Sequence, residues 1–215
     1  MNIRKFTLVL PVALLLLLST LALAADEYKI DKVHSTVGFS VKHMVISSVP
    51  GRFTDFDGTV AYDEQDVTKS SVKVVIQAGS INTDNAKRDE DLRGPNFLDT
   101  AKYPTITFES KQVKKTPNGM VAVGTLTIKD VSREIELPFT VNGKVRLGSS
   151  EHLGAEAQTK INRQDYHLTF NKMIEAGPMV GDDVNINLTV EAVRPLAKTA
   201  QKQEQPKNQD TPVRQ

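Results

Sequence analysis

Six charged side chains occupy seven consecutive positions in Lys87-Arg88-Asp89-Glu90-Asp91-Leu92-Arg93. Arg88 and Arg93 carry planar guanidinium forks, which suit the oxygens of a phosphate or a phenol. On a helix, Asp89 would face Arg93 one turn later in the favoured acid-before-base order, and Arg88 would lie beside Leu92. Two uses stay open for this knot. It could pin a short helix by ion pairs while Leu92 rests on the body of the protein, or Arg88 or Arg93 could meet a polar head group. The remaining chemistry-bearing residues are sparse. His34 and His43 are nine residues apart and His152 and His167 are distant, so no pair has metal-ligand spacing and no metal site is expected. Ser35 adjoins His34 without a nucleophile-elbow motif, and neither a phosphate loop nor a dinucleotide fingerprint occurs, so no catalytic residues and no cofactor are expected. Asp63, Glu64 and Asp66 read as a solvated acidic turn. The absence of cysteine excludes disulfides, thiolate chemistry, Cys-ligated zinc and a lipid anchor on cysteine.

The elements that must position these groups read as strands. Apolar residues recur at period two in Val37-Phe39-Val41, Phe56-Val60-Tyr62, Val72-Val74-Ile76 and Ile106-Phe108. The pattern continues through 121–128, Ile135-Leu137-Phe139-Val141, Ala155-Ala157-Thr159-Ile161 and Val184-Ile186-Leu188-Val190-Ala192. That makes about eight one-faced strands. Hairpin turns are expected at Thr116–Gly119 and at Val141–Lys144. The helical segments expected are one from about Asn85 to Arg93, capped by "TDN" and stopped by Gly94-Pro95, and one turn at Pro95–Asp99. Such a chain is all-β. An eight-stranded antiparallel barrel removes the sheet edges, and a sandwich is the alternative. A barrel of that size is either filled by side chains or holds one small ligand. The lining expected is Phe39, Ile76, Ile106, Phe108, Leu126, Leu137, Ile186 and Leu188, although a register slip of one residue would turn all of them outward.

Beyond the strands, the two ends of the chain have compositions of their own. Residues 1–24 combine Arg4 and Lys5 with an apolar run and the small-residue site Ala22-Leu23-Ala24, as in a cleaved secretory signal peptide. Residues 25–194 would form the barrel domain, and 195–215, rich in Gln, Lys, Asn and Pro, a disordered polar tail. Removing Arg4 and Lys5 leaves 25 basic against 26 acidic residues, from 27 and 26. No basic stripe points to nucleic acid. After the leader no long apolar run remains, so stable membrane insertion is not expected.

Four stretches, "YKIDKVHSTVGFSVKH" (28–43), "GRFTDFDGTVAYD" (51–63), "AGSINTDNAKRDEDLRGPNFLDTAKYPTITFES" (78–110) and "VGTLTIKDVSREIELPF" (123–139), with "INRQDY" (161–166), closely resemble the YceI-like family. The resemblance covers about Asp26 to Val193. It implies a lipocalin-like barrel, a periplasmic location, and non-enzymatic binding, storage or transport of a long-chain polyisoprenoid such as a quinone, a quinone precursor or a polyprenyl phosphate. An enzyme acting on such a lipid, or a stress-related protein with a filled core, remains the alternative, and a homodimer is left open. The family's knot reads Arg-Asp-x-His-Leu-Arg, whereas Asp91 stands here in place of the histidine, so no imidazole can act at that position.

Overall fold

The computed structural model describes residues 25–196 apart from Ala176, so the expected leader at 1–24 and residues 197–215 of the expected tail lie outside the described residues. The strands are β1 (Asp26–Ile30), β2 (Thr36–His43), β3 (Ser47–Phe53), β4 (Phe56–Tyr62), β5 (Ser71–Gln77) and β6 (Ile81–Asn82). After the helix α1 (Ala86–Arg93) come β7 (Thr105–Thr116), β8 (Gly119–Ile128), β9 (Val131–Leu147), β10 (Ser150–Asn162), β11 (Met173–Ile174), β12 (Gly177–Pro178) and β13 (Val180–Pro195). The alternation of β-branched and polar residues gives each long strand one apolar face, which the sheet buries by curling onto itself.

It does so completely. The eight strands β1, β4, β5, β7, β8, β9, β10 and β13 form an antiparallel ring that closes where Lys29 and Ile30 pair with Val193 and Ala192. β13 is long enough to serve two partners in turn. Its first half pairs with β2, from Val184 opposite Val41 to Thr189 opposite Thr36, and its last residues pair with β1. The path β2–β3–β6 therefore extends the wall at one end of the barrel, where Arg52 and Phe53 meet Asn82 and Ile81.

α1 lies where it was expected. The Asn85 side chain caps it by accepting from the Arg88 backbone N–H at 3.0 Å, and the chain leaves the helix at Gly94. Residues 95–98 form the turn beyond it. The turn at Thr116–Gly119 is present between β7 and β8, but the one expected at Val141–Lys144 is not. There β9 runs straight through to Leu147, and Gly154 and Ala155 pair with Gly143 and Val141, leaving Asn142 as the extra residue of a β-bulge. Gly143, at φ 141°, supplies the backbone conformation for that bulge rather than for a reversal. The reversal falls at Gly148, where φ is 59°. β3 was not legible as a strand because Pro50 and Gly51 interrupt its pattern. Gly51 leaves room there for the Phe39 ring: a Cβ on it would stand 2.3 Å from Cζ of Phe39, its partner across β2 and β3.

Candidate ligand cavity

The barrel interior holds a cavity of about 770 Å3. All eight residues expected to line it do so: Phe39, Ile76, Ile106, Phe108, Leu126, Leu137, Ile186 and Leu188 face the space from six different strands. Closure of the ring decides this. With every strand in antiparallel register, the apolar set of one strand faces those of all the others. The weak pattern in β10 contributes too, through Ala155, Ala157, Thr159 and Ile161.

The two ends of the cavity differ. At the end formed by the start of β10 and the end of β13, a polar plug surrounds Glu151, which is 2% exposed. Tyr28 Oη donates to Glu151 Oε1 at 2.6 Å. Arg194 donates to the same oxygen through Nε at 3.0 Å and Nη2 at 2.8 Å, while Arg146 Nε reaches Oε2 at 3.0 Å. These donors, Tyr28 first, hold the Glu151 carboxyl down at about 2. Burial and the bond to that carboxylate push the Tyr28 phenol up to about 12. The Arg194 guanidinium lies 5.2 Å from the Tyr28 ring centroid and also bonds Asp26. The plug was missed in the sequence, yet a signal existed. Glu151 is in phase with the inward set 153, 155, 157, 159 and 161, and Arg194 with 184, 186, 188, 190 and 192. Charges at inward positions imply partners at the same depth.

The other end is open. Exposed residues Lys42, Glu90, Asp91, Pro95, Asn96 and Phe170 contribute to the lining there. Phe97, beyond α1, meets Phe170 at 5.1 Å between ring centroids. The strap that carries Phe170 is held by Arg163 of the "INRQDY" stretch, a buried guanidinium that bonds the carbonyls of Leu168, Phe170 (2.9 Å) and Gly181 (2.9 Å) and the carboxylate of Asp182 (3.0 Å).

The charge knot of α1 does not pair within itself as expected. Three of its six charged side chains, Arg88, Asp89 and Arg93, turn to the 79–83 segment. Buried Asp89 accepts from the backbone N–H of Thr83 at 2.8 Å and from its hydroxyl at 2.5 Å. Arg88 donates to Thr83 Oγ1 and O, each at 2.8 Å, and Arg93 to the carbonyls of Gly79 (2.7 Å) and Ile81 (2.8 Å). β6 pairs on one side only, with β3, so the knot supplies side-chain donors and acceptors to a sheet edge that lacks a neighbouring strand. Leu92 packs on the core, as expected. Arg88 lines the cavity, whereas Arg93 is not among its lining residues.

The histidines lie on separate elements, as their spacing suggested. His34 Nδ1 is 2.8 Å from Asp31 Oδ2, and the Asp31 bond raises the His34 pKa. The donor atoms of Asp31, His34 and Glu191 lie within 4.8 Å of one another on the outside of the barrel, a proximity created by the β1–β13 closure and invisible in the spacing. His152 reaches Glu191 at 2.7 Å, and His167 lies 3.3 Å from Asp130.

A YceI-like domain model matches residues 28–192. The chain belongs to the YceI-like family. A UPF0312 protein of Yersinia pestis (strain Pestoides F) is 36% identical over 195 residues, covering 89% of this chain and 98% of that protein. Among solved structures, the Campylobacter jejuni YCEI protein superposes with a TM-score of 0.62 at 34% identity, over 76% of this chain and 95% of the other. A polyisoprenoid binding domain from Saccharophagus degradans shares the fold, with a TM-score of 0.58 at 19% identity over 78% and 98% of the two chains. The YceI-like barrel of this chain thus shares its fold with the Campylobacter jejuni protein.

Proposed function

We propose that this YceI-like protein binds a long-chain polyisoprenoid (a quinone, a quinone precursor or a polyprenyl phosphate) inside its barrel, without catalysis, as a periplasmic storage or transport protein. The observation that carries the reading is the cavity itself. Its volume of about 770 Å3 lies within the roughly 300–1,000 Å3 of ordinary ligand sites. Aliphatic and aromatic side chains make most of its wall; of the charged lining residues, Lys42, Arg88, Glu90, Asp91 and Arg163 gather at the open end, and Glu156 stands midway along β10 with its side chain exposed. That arrangement suits a hydrocarbon guest with a polar head at the mouth, and among the described residues the wall is mainly apolar, which favours a carrier over a catalyst. Family membership and the polyisoprenoid-binding relative support the same class of ligand. Arg88 is the head-group candidate, because it reaches the lining with donors left over after Thr83 is served. Arg93 makes as many structural bonds as Arg88 but does not line the cavity.

Titration against isoprenoid alcohols of increasing length tests the proposal. Affinity should come mainly from buried apolar surface, at roughly 25 cal/mol per Å2 less the cost of ordering the chain. It should therefore rise over successive prenyl units and level off where the cavity ends. Ala157→Trp, which fills the interior opposite Phe139 and Leu188, should abolish binding, while Arg88→Ala should weaken only a pyrophosphate-headed lipid. A folded protein that binds no chain length would overturn the reading. Equal affinity at all lengths would confine the lipid to the mouth.

A further inference from the structure

The open end of the cavity carries apolar side chains outside it as well as inside. Ile46 is 85% exposed, Met173 71%, Val45 61% and Phe170 42%. They come from three segments: the β2–β3 hairpin tip, the β11–β12 hairpin and the Arg163-held strap. The two hairpins are contiguous, since the Met44 N–H donates to the Met179 carbonyl at 2.9 Å, and a Cβ on Gly177 would stand 3.8 Å from Val45 Cγ2. The β2–β3 tip is also built against turn chemistry. Met44 and Val45 both have positive φ, 49° and 67°, in a reversal where asparagine and glycine are the residues of low cost. For β-branched Val45 that conformation is a genuine outlier. An apolar, unfavoured tip persists where the exposed side chain itself has a use.

We propose that this rim inserts into the hydrocarbon boundary of a lipid bilayer and seats the cavity mouth on the membrane. The proposal rests on the polyisoprenoid reading of the cavity. A bilayer is the partner argued for because the rim runs without interruption into the lining: Phe170 is both exposed and part of the cavity wall, and Met179 and Val180 follow directly after the β11–β12 hairpin. A long apolar guest could then pass from acyl chains into the barrel without crossing water. The charged groups beside the rim are mixed, with exposed Lys42 and Lys172 against exposed Glu175, Glu90 and Asp91. Attraction therefore comes from buried apolar surface rather than from anionic head groups.

The test is flotation of the purified protein with vesicles of dioleoylphosphatidylcholine. The native protein should float with them, and Ile46→Asp combined with Met173→Asp should reduce partitioning by about tenfold or more. Leu147→Asp is the control: it replaces a comparably exposed apolar residue (68%) at the end of β9, at the plugged end. It should leave flotation unchanged. Binding of a soluble short isoprenoid alcohol by the double variant should match the native protein. That arm reads the cavity alone, so failure of the ligand reading and failure of the docking surface are told apart. Three outcomes would overturn the proposal: a native protein that stays with the aqueous phase, a double variant that floats equally well, or flotation only with anionic phosphatidylglycerol that salt abolishes. A native dimer that the double variant converts to monomer, with neither form floating, would assign the rim to a second copy of this chain.

Discussion

Glu151 shows how one side chain can close a barrel and make it sensitive to pH. Its carboxylate is buried and receives donors from Tyr28, Arg194 and Arg146, so removing the charge leaves guanidinium groups facing an unpaired site. Glu151→Gln should cost about 2–4 kcal/mol of stability. Because the folded-state value is lowered from 4.5 to about 2, its contribution is present above about pH 4.5 and is lost as pH falls toward 2. The raised Tyr28 value acts at the other limit: stability that is full below pH 10 declines as pH rises toward 12, where the unfolded phenol ionises and the buried one does not. Urea unfolding midpoints measured across pH should fall at both limits in the native protein, and the Glu151→Gln variant should lose most of the acid limb. An acid limb unchanged in the variant would contradict this account. Neither effect could be read from residue type alone, although the inward phase of Glu151 and Arg194 was visible.

At the scale of elements, α1 and the β2–β3 hairpin each do what a strand neighbour or a side chain would otherwise do. α1 was legible because Asn85 caps it and Gly94-Pro95 stop it, but the use of its charges was not. The groups that they serve, the carbonyls and N–H of residues 79–83, are left free only by the way β6 ends the wall. Arg93→Ala should therefore lower stability by about 1–2 kcal/mol through the carbonyls of Gly79 and Ile81, with ligand affinity retained. Differential scanning calorimetry beside a ligand titration separates the two effects. In the hairpin, the Phe39 ring covers the place of a side chain on Gly51. Gly51→Ala should displace that ring into the cavity, cost roughly 1–3 kcal/mol and shorten the longest isoprenoid that binds. Unchanged stability and an unchanged length limit would mean that the strand shifts instead.

At the scale of the molecule, stability belongs to the closed ring and its core, since the chain holds no disulfide. Deleting residues 197–215 should move the melting temperature by no more than a few degrees and leave isoprenoid affinity unchanged, because the segment lacks an apolar face to bury. A larger fall in either quantity would show that the tail packs on the barrel. The sequence by itself determined the class of fold and the residues of the wall, since period-two alternation is a local property and each strand states its own apolar face. Tertiary structure decided everything that depends on which strands become neighbours. Gly143 serves a bulge and not a turn because β10 lies beside it, Arg88, Asp89 and Arg93 of the knot meet a sheet edge and not each other, and Glu151 finds Tyr28 across 123 positions of chain. The open and plugged ends were undetermined for the same reason. Alternation fixes what faces inward along a strand, but only ring closure sets which strand ends share a mouth and which side chains can fill it.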